Sequence, residues 1–188
     1  DNVYVGKWSG YSASTALFNT YVGSKSAWLG NGSYNVALGF QTLRGASTNN
    51  NTGVGYQAGA FQSGANVTLG GFEAGRSNTS TGHISIGYEA GYSNTSGAYN
   101  TNVGYQAGKN NTTSQGRTMI GNEAGTFQTG SQNTGIGRYA LRQGTGLQNT
   151  AVGHSAMGGN MLSSNFNTVV GYNAMSSNGI KNNNVVVG

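Results

Sequence analysis

The stretch Asn51-Thr-Gly-Val-Gly-Tyr-Gln-Ala-Gly59 returns as Asn100-Thr-Asn-Val-Gly-Tyr-Gln-Ala-Gly108, changed only at its third residue. After the asparagine it runs β-branched, free, aliphatic, glycine. Fixed, free, fixed is a period of two, the signature of a short half-buried strand. β-Branched side chains suit such a pleated surface. The alternation predicts that the fixed pair, Thr52 and Val54, points inward. The following glycine permits positive φ or a close backbone approach at a corner.

Outward from this stretch, an aliphatic residue followed by glycine occurs twelve times: at Gly6, Gly23, Gly39, Gly55, Gly70, Gly87, Gly104, Gly121, Gly137, Gly153, Gly171 and Gly188. The steps run 17, 16, 16, 15, 17, 17, 17, 16, 16, 18 and 17 residues. Self-similarity at a fixed period over a whole chain marks a repeat array. We read residues 1–188 as one all-β repeat-array domain, a parallel β-solenoid of about twelve turns. The pattern is under way at Asp1 and still running at Gly188, which reads as a segment of a longer fibre.

Other positions recur in the same frame. Four residues before the glycine stands Asn2, Asn19, Asn35, Asn51, Asn66, Asn100, Asn133, Asn149, Asn167 or Asn184, with His83 and Arg117 as exceptions. Equivalent residues of successive turns would stack at ~4.8 Å, close enough for a structural ladder of amides along the rod. Three residues after the glycine the side chain is small, as at Ala58, Ala90 and Ala107; Ala74 fits if one residue is inserted at Gly71 as a bulge. Phe40, Tyr56, Phe72, Tyr88, Tyr105 and Tyr172 follow the glycine and predict a partial aromatic ladder. Glu73, Glu89 and Glu123 replace glutamine in one row, where each needs a cationic or amide partner.

Composition narrows the function. Glycine supplies 34 residues while proline and cysteine are absent, which excludes collagen, thiol chemistry and cysteine-held metals. No apolar run is long enough to span a membrane. Nine basic residues against four acids are scattered along the chain, which argues against a nucleic-acid patch. Two inward positions per turn make a thin core, so side-by-side association is expected.

The Asn-Thr-x-Val-Gly-Tyr-x-Ala pattern resembles the head repeats of trimeric autotransporter adhesins and related repeats of bacteriophage tail fibres. The resemblance covers all twelve repeats, although the adhesin heads repeat at a shorter period. It implies a left-handed β-roll, a homotrimer about one axis, an extracellular place on a virion tail fibre or bacterial surface, and attachment to host-surface polysaccharide or glycoprotein. It supplies no binding residue. From the residues themselves, the glycan-binding candidates are the loop aromatics Trp8, Tyr11, Trp28, Tyr92 and Tyr99, whose faces can stack on sugars. No enzymatic activity, cofactor, metal site, nucleic-acid partner or membrane insertion is expected.

Four rival classes share parts of this pattern. Hexapeptide acyltransferases need three hexapeptides per coil, and one per repeat conforms here. Calcium solenoids need acids at every turn, and a tail-spike depolymerase needs paired carboxylates in a cleft. An ice-binding solenoid would need outward, coplanar threonines; the Asn-Thr position carries threonine in seven of twelve repeats, but the alternation points it inward. A plain spacer shaft is a further possibility for a fibre repeat.

Overall fold

The computed structural model describes residues 1–159, 163–175 and 182–188. It contains the strands Val3–Val5 (β1), Thr20–Val22 (β2), Val36–Leu38 (β3), Thr52–Val54 (β4), Thr68–Gly70 (β5), Ile84–Ile86 (β6) and Thr101–Val103 (β7). These continue with Thr118–Ile120 (β8), Phe127–Gln128 (β9), Thr134–Ile136 (β10), Gln143–Gly144 (β11), Thr150–Val152 (β12), Thr168–Val170 (β13) and Val185–Val187 (β14). All but β9 and β11 form one sheet in chain order, parallel and in register, so that Thr101 lies beside Thr118 and Thr118 beside Thr134. β9 and β11 make a small second parallel pair. The chain is a β-solenoid of about eleven turns, one strand of the long sheet per turn.

Backbone pairing between turns continues beyond the strands. The Gly23 N–H donates to Val5 O (2.8 Å), Gln57 N–H to Phe40 O (2.9 Å) and Gly59 N–H to Ala74 O (2.9 Å). Buried peptide groups in a rod this thin must find partners, and the adjacent turn supplies them. The corner glycine is required twice over. Gly121 has φ +135°, and a Cβ there would sit 2.5 Å from the carbonyl oxygen of Gly137, a backbone atom of the next turn that cannot move aside.

The structure reverses the expected facing of the strand. The fixed β-branched and aliphatic residues point outward: Val54, Ile86 and Ile136 are about two-fifths exposed. The free residue between them points in, and Tyr21, Ala37, Leu69, Ser85, Asn102, Met119, Ala151 and Val169 are buried. Variation at this site is compensated four residues past the corner glycine. Tyr21 faces Ala27, Ala37 faces Leu43, Leu69 faces Gly75, Met119 faces Gly125 and Ala151 faces Met157. A Cβ on Gly75 would lie 2.5 Å from Leu69 Cδ2. Most turns thus have room for about one bulky residue, supplied from either side, although Val169 and Met175 are both buried in one turn. Where both sites are glycine, at Gly53 and Gly59, Leu43 and Leu69 of neighbouring turns fill the space.

The fifth repeat shifts by one residue. Thr68, not Val67, pairs with Thr52, and Gly71 (φ +125°) is the corner. The expected bulge at Gly71 is absent; Phe72 and Ala74 fall in frame without it. Asn66 therefore leaves the asparagine ladder for the position of Asn50, whose Nδ2 donates to Asn66 Oδ1 (3.2 Å), and Val67 takes the ladder slot.

Candidate binding surface

The ladder itself is built differently from an amide-to-amide stack. In most turns the Asn Oδ1 accepts the backbone N–H of the next ladder residue, as from Asn35 to Asn19 and from Asn51 to Asn35 (both 2.8 Å). The Nδ2 donates to loop carbonyls, as from Asn133 to Gly130 (2.9 Å) and Gly146 (2.7 Å). Asn100 and Asn149 make the same two kinds of bond. These amides are buried and spent on the fold, so they offer nothing to a ligand.

The exceptions sit in a polar section of the core. The apolar core divides into one cluster from Tyr21 to Leu69 and another from Ala107 to Met175. Between them lie buried Asn78, His83, Ser85, Asn94 and Asn102. Asn94 Nδ2 is 2.9 Å from His83 Nε2 and Ser80 Oγ is 3.0 Å from it. Burial outweighs backbone hydrogen bonds and lowers the His83 pKa to about 4, so the ring is neutral. Arg117 is fully buried, and burial pushes its pKa down to about 9. Its Nη2 donates to Gly125 O (3.0 Å) while Nε and Nη1 lack partners.

Two outer surfaces remain. The first is the outward face of the long sheet, carrying Val, Ile, Leu and Thr in ranks. Phe40, Tyr56, Phe72, Tyr88 and Tyr105 border it as a continuous stack, with successive centroids 5.0–5.5 Å apart and planes within 16°. His154 and Tyr172 stack near the other end of the rod. Phe18 and Tyr34 stack on the opposite margin, where Tyr99 also lies, about two-thirds exposed.

The second surface is the edge beyond the corner, where six of the scattered cations lie, Lys7 among them over the Trp8 ring. Arg44, Arg76, Lys109 and Arg142 share one row, five residues past the corner glycine, and Lys25 lies beside it. Their sequence spacing of 32, 33 and 33 residues is two turns each time, a regularity that the sequence reading passed over. The glutamate row finds its partners here: Arg76–Glu73 (3.3 Å), Lys109–Glu89 (2.7 Å) and Arg142–Glu123 (3.0 Å). Burial raises Glu89, but hydrogen bonds from Lys109 and Gln106 together with the Lys109 charge outweigh it and hold the carboxyl below its ordinary value.

The predicted aromatics divide between these surfaces. Trp8 and Trp28 stack on the cationic edge (6.1 Å, 23°). Tyr11 and Tyr92 share the row of Trp28, Tyr11 on the adjacent turn and Tyr92 four turns further on. Tyr99 is on the margin of the sheet face instead. The described residues enclose no pocket, and no group of three or more histidines and acids among them is placed to hold a metal ion. Among the described residues no helix is long and apolar enough to cross a membrane. Comparison with family models, curated proteins and solved structures gave no match. What the fold and surfaces define is a parallel β-solenoid with a ranked apolar sheet face and a cation-bearing edge.

Proposed function

We propose that this chain is a non-enzymatic segment of a trimeric fibre, a phage tail fibre or bacterial surface adhesin, that stands outside the cell and attaches to host-surface glycan. The observation that carries the reading is the contrast between the two sides of the strand. Inside, residues vary from turn to turn and compensate one another; outside, β-branched and aliphatic residues repeat almost without change. A lone solenoid needs the first and has no use for the second beyond strand propensity. Eleven steps of ~4.8 Å and three residues of ~3.3 Å give a face of about 53 by 10 Å. That is about 500 Å², shared between an aliphatic rank and a mostly threonine rank, and with the aromatic margins added it is comparable to the largest apolar patch on a typical monomer. Other copies of the same chain have the same pitch and can match such ranks along their whole length. The motif's resemblance to adhesin and tail-fibre repeats agrees with three.

Solution mass by light scattering with size exclusion tests this. Three times 19.2 kDa is expected, and a stable monomer at two concentrations overturns the assembly.

One observation favours a second reading. Thr20, Thr52, Thr68, Thr101, Thr118, Thr134, Thr150 and Thr168 all lie in one outward row of the sheet, the arrangement an ice-binding solenoid requires. Val36 and Ile84 interrupt the row. A monomer that inhibits ice recrystallisation would establish this reading in place of the fibre.

A further inference from the structure

Along the second edge, cations and rings alternate. Lys7 Nζ stands 4.4 Å from the Trp8 ring centroid; Lys25 Nζ lies 5.1 Å from Trp8 and 5.3 Å from Trp28; the Arg44 guanidinium is 5.1 Å from Trp28 and 6.0 Å from Phe61. Arg76 continues the series, 4.8 Å from Phe61 and 5.6 Å from Tyr92. Charge is not distributed evenly along it. The three cations towards the far end, Arg76, Lys109 and Arg142, each face a glutamate. Lys7, Lys25 and Arg44 form no ion pair among the described residues, and Asp1 is the only acid before Glu73. The Arg44 Nε is buried without a hydrogen-bond partner. Three successive turns therefore carry three uncompensated cations, held in place by rings.

The rings of Trp8 and Trp28 are stacked on each other with cations over them, so their faces are not free to stack on a sugar or a nucleobase. What the edge presents is fixed positive charge. We infer that the edge bearing Lys7, Lys25 and Arg44 binds an anionic polysaccharide, carboxylated or sulfated, lying along the rod. Cation–π contacts restrain side chains that would otherwise lose rotamer freedom on binding. A polymer with regularly spaced acidic groups can then engage one cation per turn and gain from the repetition. This rests on the glycan-attachment reading and specifies the chemical class of the glycan.

The test is biolayer interferometry of the whole 188-residue chain against alginate, dextran sulfate, neutral dextran, single-stranded DNA and a panel of neutral host-type glycans. Binding to alginate or dextran sulfate is expected, weakening as salt rises. The triple variant Lys7→Gln/Lys25→Gln/Arg44→Gln is expected to bind on the order of tenfold more weakly. The Lys25→Arg/Arg44→Lys variant should retain binding, as should Lys109→Gln, whose lysine is already paired with Glu89. Circular dichroism of each variant separates loss of the site from loss of the fold. Binding to neutral glycans alone, unchanged in the triple variant, overturns the anionic class and leaves glycan attachment standing. Binding to nothing in the panel overturns both. Tighter binding to DNA than to either polysaccharide overturns the polysaccharide assignment.

Discussion

His83 and Arg117 stand where nine other repeats place asparagine and one places valine, and each has a consequence that can be measured. The His83 ring is buried with Asn94 Nδ2 and Ser80 Oγ at Nε2, and no titratable side chain is among these partners. Its pKa in the fold, about 4, lies below the ordinary 6.5. The unfolded chain therefore takes up the proton first as pH falls. Stability is lost between pH 6.5 and about 4, by up to about 3 kcal/mol. Thermal melts from pH 7 to 4.5 at fixed protein concentration should show this slope, and His83→Asn should flatten it whatever it does to stability at neutral pH. Glu89 contributes with the same sign but lower on the scale, because its depressed pKa confines the loss to pH below the ordinary carboxylate range. Arg117 is the opposite kind of exception. It stays charged at neutral pH with two buried nitrogens, Nε and Nη1, unpaired. Arg117→Met keeps the ladder bond, since the backbone N–H donates to Asn100 Oδ1 regardless of side chain (3.0 Å). It should raise stability by about 1–3 kcal/mol, read as a higher melting temperature or denaturant midpoint.

At the scale of one turn, Asn133 makes three buried bonds: Oδ1 accepts from the Asn149 N–H (2.8 Å) and Nδ2 donates to two carbonyls. Asn133→Ala strands all three groups and should cost about 2–4 kcal/mol. Asn66→Ala, exposed and outside the ladder, loses one exposed bond and the tolerance of asparagine for its positive φ (+58°) and should cost about 1 kcal/mol, clearly less than Asn133→Ala, so chemical denaturation of the pair checks the frame of the fifth repeat. That frame shows why the sequence was only partly legible. The aliphatic-glycine pair Leu69-Gly70 imitates the corner, and a second glycine follows at once, so composition alone could not say which of Gly70 and Gly71 turns the chain. Register with Thr52 decides it. The strands, their parallel stacking, the aromatic stack and the glutamate partners all follow from residues that repeat. The facing of the strand does not, because regularity marks the inward side only where the core itself is regular. In this rod the core is irregular by compensation, Leu69 against Gly75 and Ala151 against Met157, and a period of two fixes alternation without fixing which side is in. The cationic edge escaped notice for a related reason: residues 33 apart are distant on the chain and two turns apart in space.

For the whole molecule, the question is what the regular outer face meets. Ile86 and Ile136 lie outward on β6 and β10 and touch the core only through the backbone they share with buried Ser85 and Gly135. Lysine at both places leaves the inward pattern, the corner glycines and the asparagine ladder intact, so the solenoid should still fold. If the face packs against further copies, Ile86→Lys/Ile136→Lys brings like charges of several chains together in a desolvated seam. The penalty is multiplied by the number of copies. The expected outcome is a fall from three times the chain mass to the chain mass, with the β-sheet circular dichroism signal retained and the melting temperature lowered through loss of mass-action stabilisation. A trimer that survives both lysines places its interface elsewhere, with the Phe40-to-Tyr105 stack the next face to charge. If instead the unmodified chain is monomeric and halts ice recrystallisation, the same two lysines should abolish that activity without changing mass. One pair of substitutions therefore separates the two uses of a face whose regularity the fold by itself does not require.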